Sequence, residues 1–126
     1  MTQIEKNEMI ARVFKYLQER INLTSKEHGF NEDWDAATTD AQRNLINGTK
    51  IALIHSELSE ALEAVRKNIG ADDHISEFLG VEAELADAVI RILHFAEQNQ
   101  LRLAEAVLAK MEYNDARPFK HGGKAF

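Results

Sequence analysis

Apolar residues recur every three or four positions along most of this chain, the spacing of one face of an α-helix. Ile10, Val13, Phe14, Leu17 and Ile21 predict a first helix from Thr2 to about Lys26, opened by a capping box of Thr2 and Glu5 and stopped near Gly29. His28 to Asp40 is rich in Gly, Asn and Asp and reads as a loop with short turns, whose large apolar groups are Phe30 and Trp34. A second helix is predicted from about Asp40 to Asn68, ending at Gly70, with Gly48 as a point of bending or splitting. Its stripe is Ile51, Ile54, Leu58, Ala61, Leu62 and Val65. Asp72 to Glu77 reads as a connector, and Ser76 or a neighbour caps a third helix that reaches about Gln98. Val81, Leu85, Ala88, Val89 and Ile92 form the stripe of that helix. A fourth runs from about Leu101 to Arg117 and stops at Pro118, because the residue before proline resists helical angles. Four helices with short connections predict an all-α antiparallel bundle, one domain spanning residues 1–126.

Composition narrows the partners. At 126 residues the chain has room for one real core, and 44% hydrophobic with 29% charged residues is ordinary for a soluble globular fold. A formal net charge of −6 argues against nonspecific nucleic-acid binding, which needs phosphate-neutralising cations. With no cysteine there is no disulfide and no thiolate metal site. Met1 to Glu8 is polar, unlike a secretory leader, and no stretch approaches the roughly 20 apolar residues of a membrane span. The expectation is a cytoplasmic protein with no membrane and no nucleic-acid partner.

Two carboxylate pairs carry the chemistry. Glu57 and Glu60 lie three residues apart on the second helix, and Glu84 and Asp87 three apart on the third. Such neighbours leave one flank of a helix about 60° apart, and both pairs stand beside their apolar stripe. Packing the stripes together brings up to four carboxylates toward one rim. Two unit charges about 4 Å apart repel by roughly 4 kcal/mol at an effective dielectric near 20. The group must therefore raise its pKa values, splay, or hold a cation. All-oxygen donors suit a hard divalent ion such as Mg²⁺, with Mn²⁺ as a substitute. The absence of Glu-x-x-His pairs weighs against a di-iron bundle. A single acidic pair ordinarily means a solvated face, and that reading stays open here as a non-enzymatic helical interaction module. Glu63 and Glu82 project away from the shared flank, while Arg91 orients one of these carboxylates or pairs with it.

On the fourth helix Lys110, Asn114 and Arg117 fall within about 60° of one another, followed by Lys120, His121, Gly122, Gly123 and Lys124. A guanidinium, ammonium groups, an amide and glycine N–H groups suit a triphosphate. Cations at a helix C-terminus also complement its dipole, by about 0.3–1 kcal/mol each. Acids and bases together in one small bundle point to metal-bridged phosphate chemistry.

Three segments carry a family likeness: Ile54-His55-Ser56-Glu57-Leu58-Ser59-Glu60-Ala61-Leu62-Glu63, Glu84-Leu85-Ala86-Asp87-Ala88-Val89-Ile90-Arg91, and the run from Lys110 to Lys124. In them, over residues 51–126, the chain resembles the MazG-like all-α nucleoside triphosphate pyrophosphohydrolases. The resemblance implies Mg²⁺ held by Glu57, Glu60, Glu84 and Asp87, which are then also the catalytic carboxylates. It implies substrate phosphates met by Lys110, Asn114 and Arg117, with Lys120 and Lys124 added from the basic tail. It implies hydrolysis of an NTP or dNTP to the monophosphate and pyrophosphate, with a housecleaning role in the nucleotide pool. Phosphoribosyl-ATP pyrophosphohydrolase is the enzymatic alternative. Family members work as homodimers or dimers of dimers. Ser56 departs from the pattern, since many members carry a glutamate there.

Overall fold

The computed structural model describes residues 1–118. It contains α1 (Gln3–Glu27), α2 (Glu32–Ala36), α3 (Asp40–Arg66), α4 (Gly80–Gln98) and α5 (Leu103–Asp115), and no β-strand among the described residues. None of these helices is long and apolar enough to cross a membrane. The chain is helical as its periodicity predicts, with one short helix added where composition suggests a loop.

Helix ends follow local chemistry. Thr2 caps α1 and Thr39 caps α3, each with a reciprocal bond from the residue three positions on, Glu5 and Gln42. Three helices end in the same way. After α1, Gly29 takes φ 81°, and Phe30 N–H donates to the Ser25 carbonyl at 2.9 Å. After α3, Asn68 takes φ 51° and Ile69 N–H reaches Ala64 at 3.0 Å. After α4, Gln100 takes φ 53° and Leu101 N–H reaches Ala96 at 2.9 Å. Each left-handed residue satisfies carbonyls that the last turn leaves open. The second predicted helix therefore ends at Arg66, with the left-handed turn at Asn68 and not at Gly70, and it runs through Gly48 unbroken.

The connector 67–79 is more structured than its composition suggests. Asp72 accepts from His74 N–H and Ile75 N–H, its own N–H donates to the Phe78 carbonyl, and Ala71 pairs with Leu79. This small knot delays α4 to Gly80, four residues past the expected cap at Ser76. Gly80 itself is tight, since a Cβ there would stand 3.2 Å from Ile69 Cγ2.

The packing departs from a closed four-helix bundle. α4 is the shared element, lying along α3 on one side and α1 on the other, while α5 packs on α1. The α3–α4 seam is made mostly of small residues: Ala61 and Ala64 are buried on α3 beside Ile54, and Gly80, Ala83 and Ala88 on α4. Small side chains let the two axes approach closely. Leu58, Leu62 and Val65, together with Leu85, Val89 and Ile92, belong to the predicted inward stripes but remain substantially exposed. At 100° per residue they fall on one flank of the seam.

Candidate metal centre and its cavity

Glu57 projects from α3 into this seam, where its side chain is only 10% exposed. A buried carboxylate needs a partner, and Arg91 from α4 supplies one through Nε at 3.0 Å. One turn on, Glu60 stands exposed at the rim, and Glu84 on α4 is half-buried opposite. One oxygen from each of Glu57, Glu60 and Glu84 lies within 4.8 Å of the others. The helix pairing implied by the two acidic motifs thus brings three carboxylates to one point. Asp87 is one turn along α4 from Glu84 and outside this trio; it faces the adjoining cavity together with Glu57.

The electrostatics are those of a site short of positive charge. The Glu84 carboxyl is pushed up to about 7, by partial burial first and then by hydrogen bonding and repulsion from Glu60 and Glu57. Burial and the Glu57 charge also raise Asp87, against the pull of Arg91. Three oxygen donors around one point match what a hard divalent ion takes from protein, with water or substrate filling the rest. The donor set fits Mg²⁺ or Mn²⁺ better than softer metals, because it offers neither imidazole nor thiolate.

A cavity of about 880 Å³ opens from Glu57 and Asp87 toward the N-terminal half of α3. Leu17, Ile21, Leu45, Ile46, Leu53 and Ile90 make it apolar, while Arg20, Lys50 and Arg91 bring cations and Asp33 an acid. Its size and mixed lining suit a small-molecule ligand. Phe30 stands at this wall, 71% exposed. Trp34, on α2, is instead half-buried, with Arg43 5.5 Å over its ring.

Behind the cavity, Asn31 is a buried hub. Its Oδ1 takes bonds from Ser25 Oγ at 2.9 Å and His94 Nε2 at 3.0 Å, and its Nδ2 donates to Asn22 at 2.8 Å. The network ties α1, the loop and α4 together. His94 is held down to about 4, chiefly by burial and then by the charges of Lys50 and Arg91, so it is neutral at physiological pH.

The basic constellation behaves differently from the acidic one. Lys110, Asn114 and Arg117 belong to α5 and its end, which rests on α1 and lines neither this cavity nor the smaller one behind Glu60 and Glu84. Lys110 Nζ instead lies 4.7 Å over the Tyr113 ring. Within one chain the α5 cations are not beside the carboxylates. Lys120 and Lys124 lie outside the described residues. The cations that do face the cavity, Arg20, Lys50 and Arg91, have a partial signal in the sequence. Lys50 precedes Glu57 by seven residues and shares its flank, and Arg91 follows Asp87 by four.

Compared with known proteins, the chain matches no family model, no curated protein and no solved structure.

Proposed function

We propose that this chain is a Mg²⁺-dependent nucleoside triphosphate pyrophosphohydrolase that releases pyrophosphate and a nucleoside monophosphate. The supporting observation is the convergence of Glu57, Glu60 and Glu84 on one point, with Glu57 also lining a cavity large enough for a nucleotide and bordered by cations. Glu57, Glu60 and Glu84 would hold the ion, which supplies charge neutralisation at the phosphate oxygens. Apolar residues from α1 and α3 would bury the nucleoside and exclude bulk water. A water oxygen bonds to the α-phosphorus as the bond to the α,β-bridging oxygen breaks, and pyrophosphate departs. Glu60 is the carboxylate most open to solvent in the trio, and it is our choice to take the proton from that water.

The test is a panel of canonical and modified triphosphates, with pyrophosphate and orthophosphate measured separately. Mg²⁺- or Mn²⁺-dependent pyrophosphate release, lost in a folded Glu57→Gln variant, supports the reading. No release from any of them ends it. Phosphoribosyl-ATP stays in the panel as the enzymatic alternative.

A second copy of the chain belongs to this reading. A folded monomer of 14.3 kDa exposes about 6,800 Å² by area–mass scaling, and this chain exposes 9845 Å². Even crediting residues 119–126 with the full area of an unfolded segment, about 1,300 Å², a surplus of roughly 1,700 Å² remains. Obligate homodimers bury about 1,000–2,500 Å² per partner. The exposed flank of Leu58, Leu62, Val65, Leu85, Val89 and Ile92 is the surface that supports such an interface. That same flank is what favours the non-enzymatic interaction module, which would show no thermal shift with Mg²⁺ and a nonhydrolysable triphosphate. Sedimentation of the wild-type chain as a monomer at micromolar concentration would remove the second copy.

A further inference from the structure

Two cations converge on the main cavity from neighbouring helices, Lys50 from α3 and Arg91 from α4, beside a neutral His94. Their arrangement is that of an anion site. Arg91 meets Glu57 through Nε alone, and its two terminal amino groups make no hydrogen bond among the described residues, so the open edge of the guanidinium is left for a ligand. Lys50 stands two turns before Glu57, about 10 Å along the α3 axis and about 20° around it. It forms no salt bridge among the described residues within 4.0 Å. Burial lowers the Lys50 ammonium, Asp33 counters that effect, and Arg91 adds to it. Two like charges held toward one space repel each other until an anion lies between them. Asp33 offsets part of the charge on Lys50, and Arg20 adds a further cation at the wall.

We propose that Lys50 and Arg91, rather than the cations of α5, hold the phosphoryl oxygens of the substrate in this cavity. The identity of the ligand rests on the pyrophosphohydrolase reading. The anion site itself rests on the cavity and the two unpaired edges that face it. Arg91 then has two contacts at once, Glu57 through Nε and a phosphate through its terminal amino groups. It links the cation-binding carboxylate to the substrate's charge. Lys50 touches no carboxylate of the trio and reads the far end of the anion.

The probe is inorganic tripolyphosphate, titrated calorimetrically into the full chain with magnesium in excess. Lys50→Met should weaken binding by about tenfold or more, Lys50→Arg should keep most of it, and a Lys110→Met/Arg117→Met double variant should stay within about twofold of wild type. Unchanged binding in Lys50→Met, a large loss in the α5 double variant, or no binding by the wild type overturns the proposal. Arg91→Met also strips Glu57 of its partner, so the decisive variant is Lys50→Met, whose melting is followed in parallel to show that it folds. The two levels separate cleanly. Pyrophosphate release with an unchanged KM in Lys50→Met refutes the anion site and leaves the reaction standing. Tripolyphosphate binding that depends on Lys50, without turnover of any triphosphate, refutes the reaction and leaves the anion site.

Discussion

Glu84 makes the metal centre testable without any turnover assay. Its carboxyl, pushed up to about 7 by burial and by Glu60 and Glu57, is half protonated at neutral pH in the metal-free chain. A divalent cation must displace that proton before Glu84 can bind it. For one displaced proton, apparent affinity scales with the deprotonated fraction, about one tenth at pH 6 and about nine tenths at pH 8. Magnesium should therefore bind about tenfold tighter at pH 8 than at pH 6. Calorimetry in buffers of different ionisation enthalpy should count about 0.9 protons released at pH 6, about 0.5 at pH 7 and about 0.1 at pH 8. Glu84→Gln should weaken binding and flatten the pH dependence, because it removes both the ligand and the proton. Affinity that stays constant over this range, or a Glu84→Gln variant that keeps the wild-type slope, would refute a Glu84-linked metal centre.

Other outcomes follow from single contacts. Arg91→Met should destabilise the fold by about 1–2 kcal/mol in denaturant melts; the usual loss for a broken buried pair is reduced here because Arg91 is 42% exposed. Adding Glu57→Gln to that variant should recover part of the loss. Asn31→Ala removes the acceptor shared by Ser25 and His94 and should cost about 2–3 kcal/mol, read as a lower urea midpoint with unchanged slope. Metal-free stability should vary little with pH between about 5 and 6.5. His94, held down to about 4, makes stability rise with pH across that window, whereas Glu84, raised to about 7, makes it fall. Glu84→Gln should expose the His94 rise.

Much of the molecule is written locally. Helix periodicity, the Thr2 and Thr39 caps and the carboxylate spacing act within a few residues, so the sequence alone determined the all-α character and the flank each acid occupies. Which stripe residues face inward was not legible. Ile54 and Ala61 went into the α3–α4 seam while Leu58 and Leu62 stayed outside, because the packing of one helix on another covers only one side of an apolar stripe. The left-handed turns at Asn68 and Gln100 lack the glycine that marks such stops. The candidate site divides in the same way. Glu57, Glu60 and Glu84 were readable because their helices are neighbours in the chain and in space. Lys50 and Arg91 share a cavity, and the α5 cations lie away from it, only because α4 packs between α3 and α1 while α5 rests on α1. Spacing along one helix fixes a direction, whereas the distance between side chains of different helices is decided by how those helices pack.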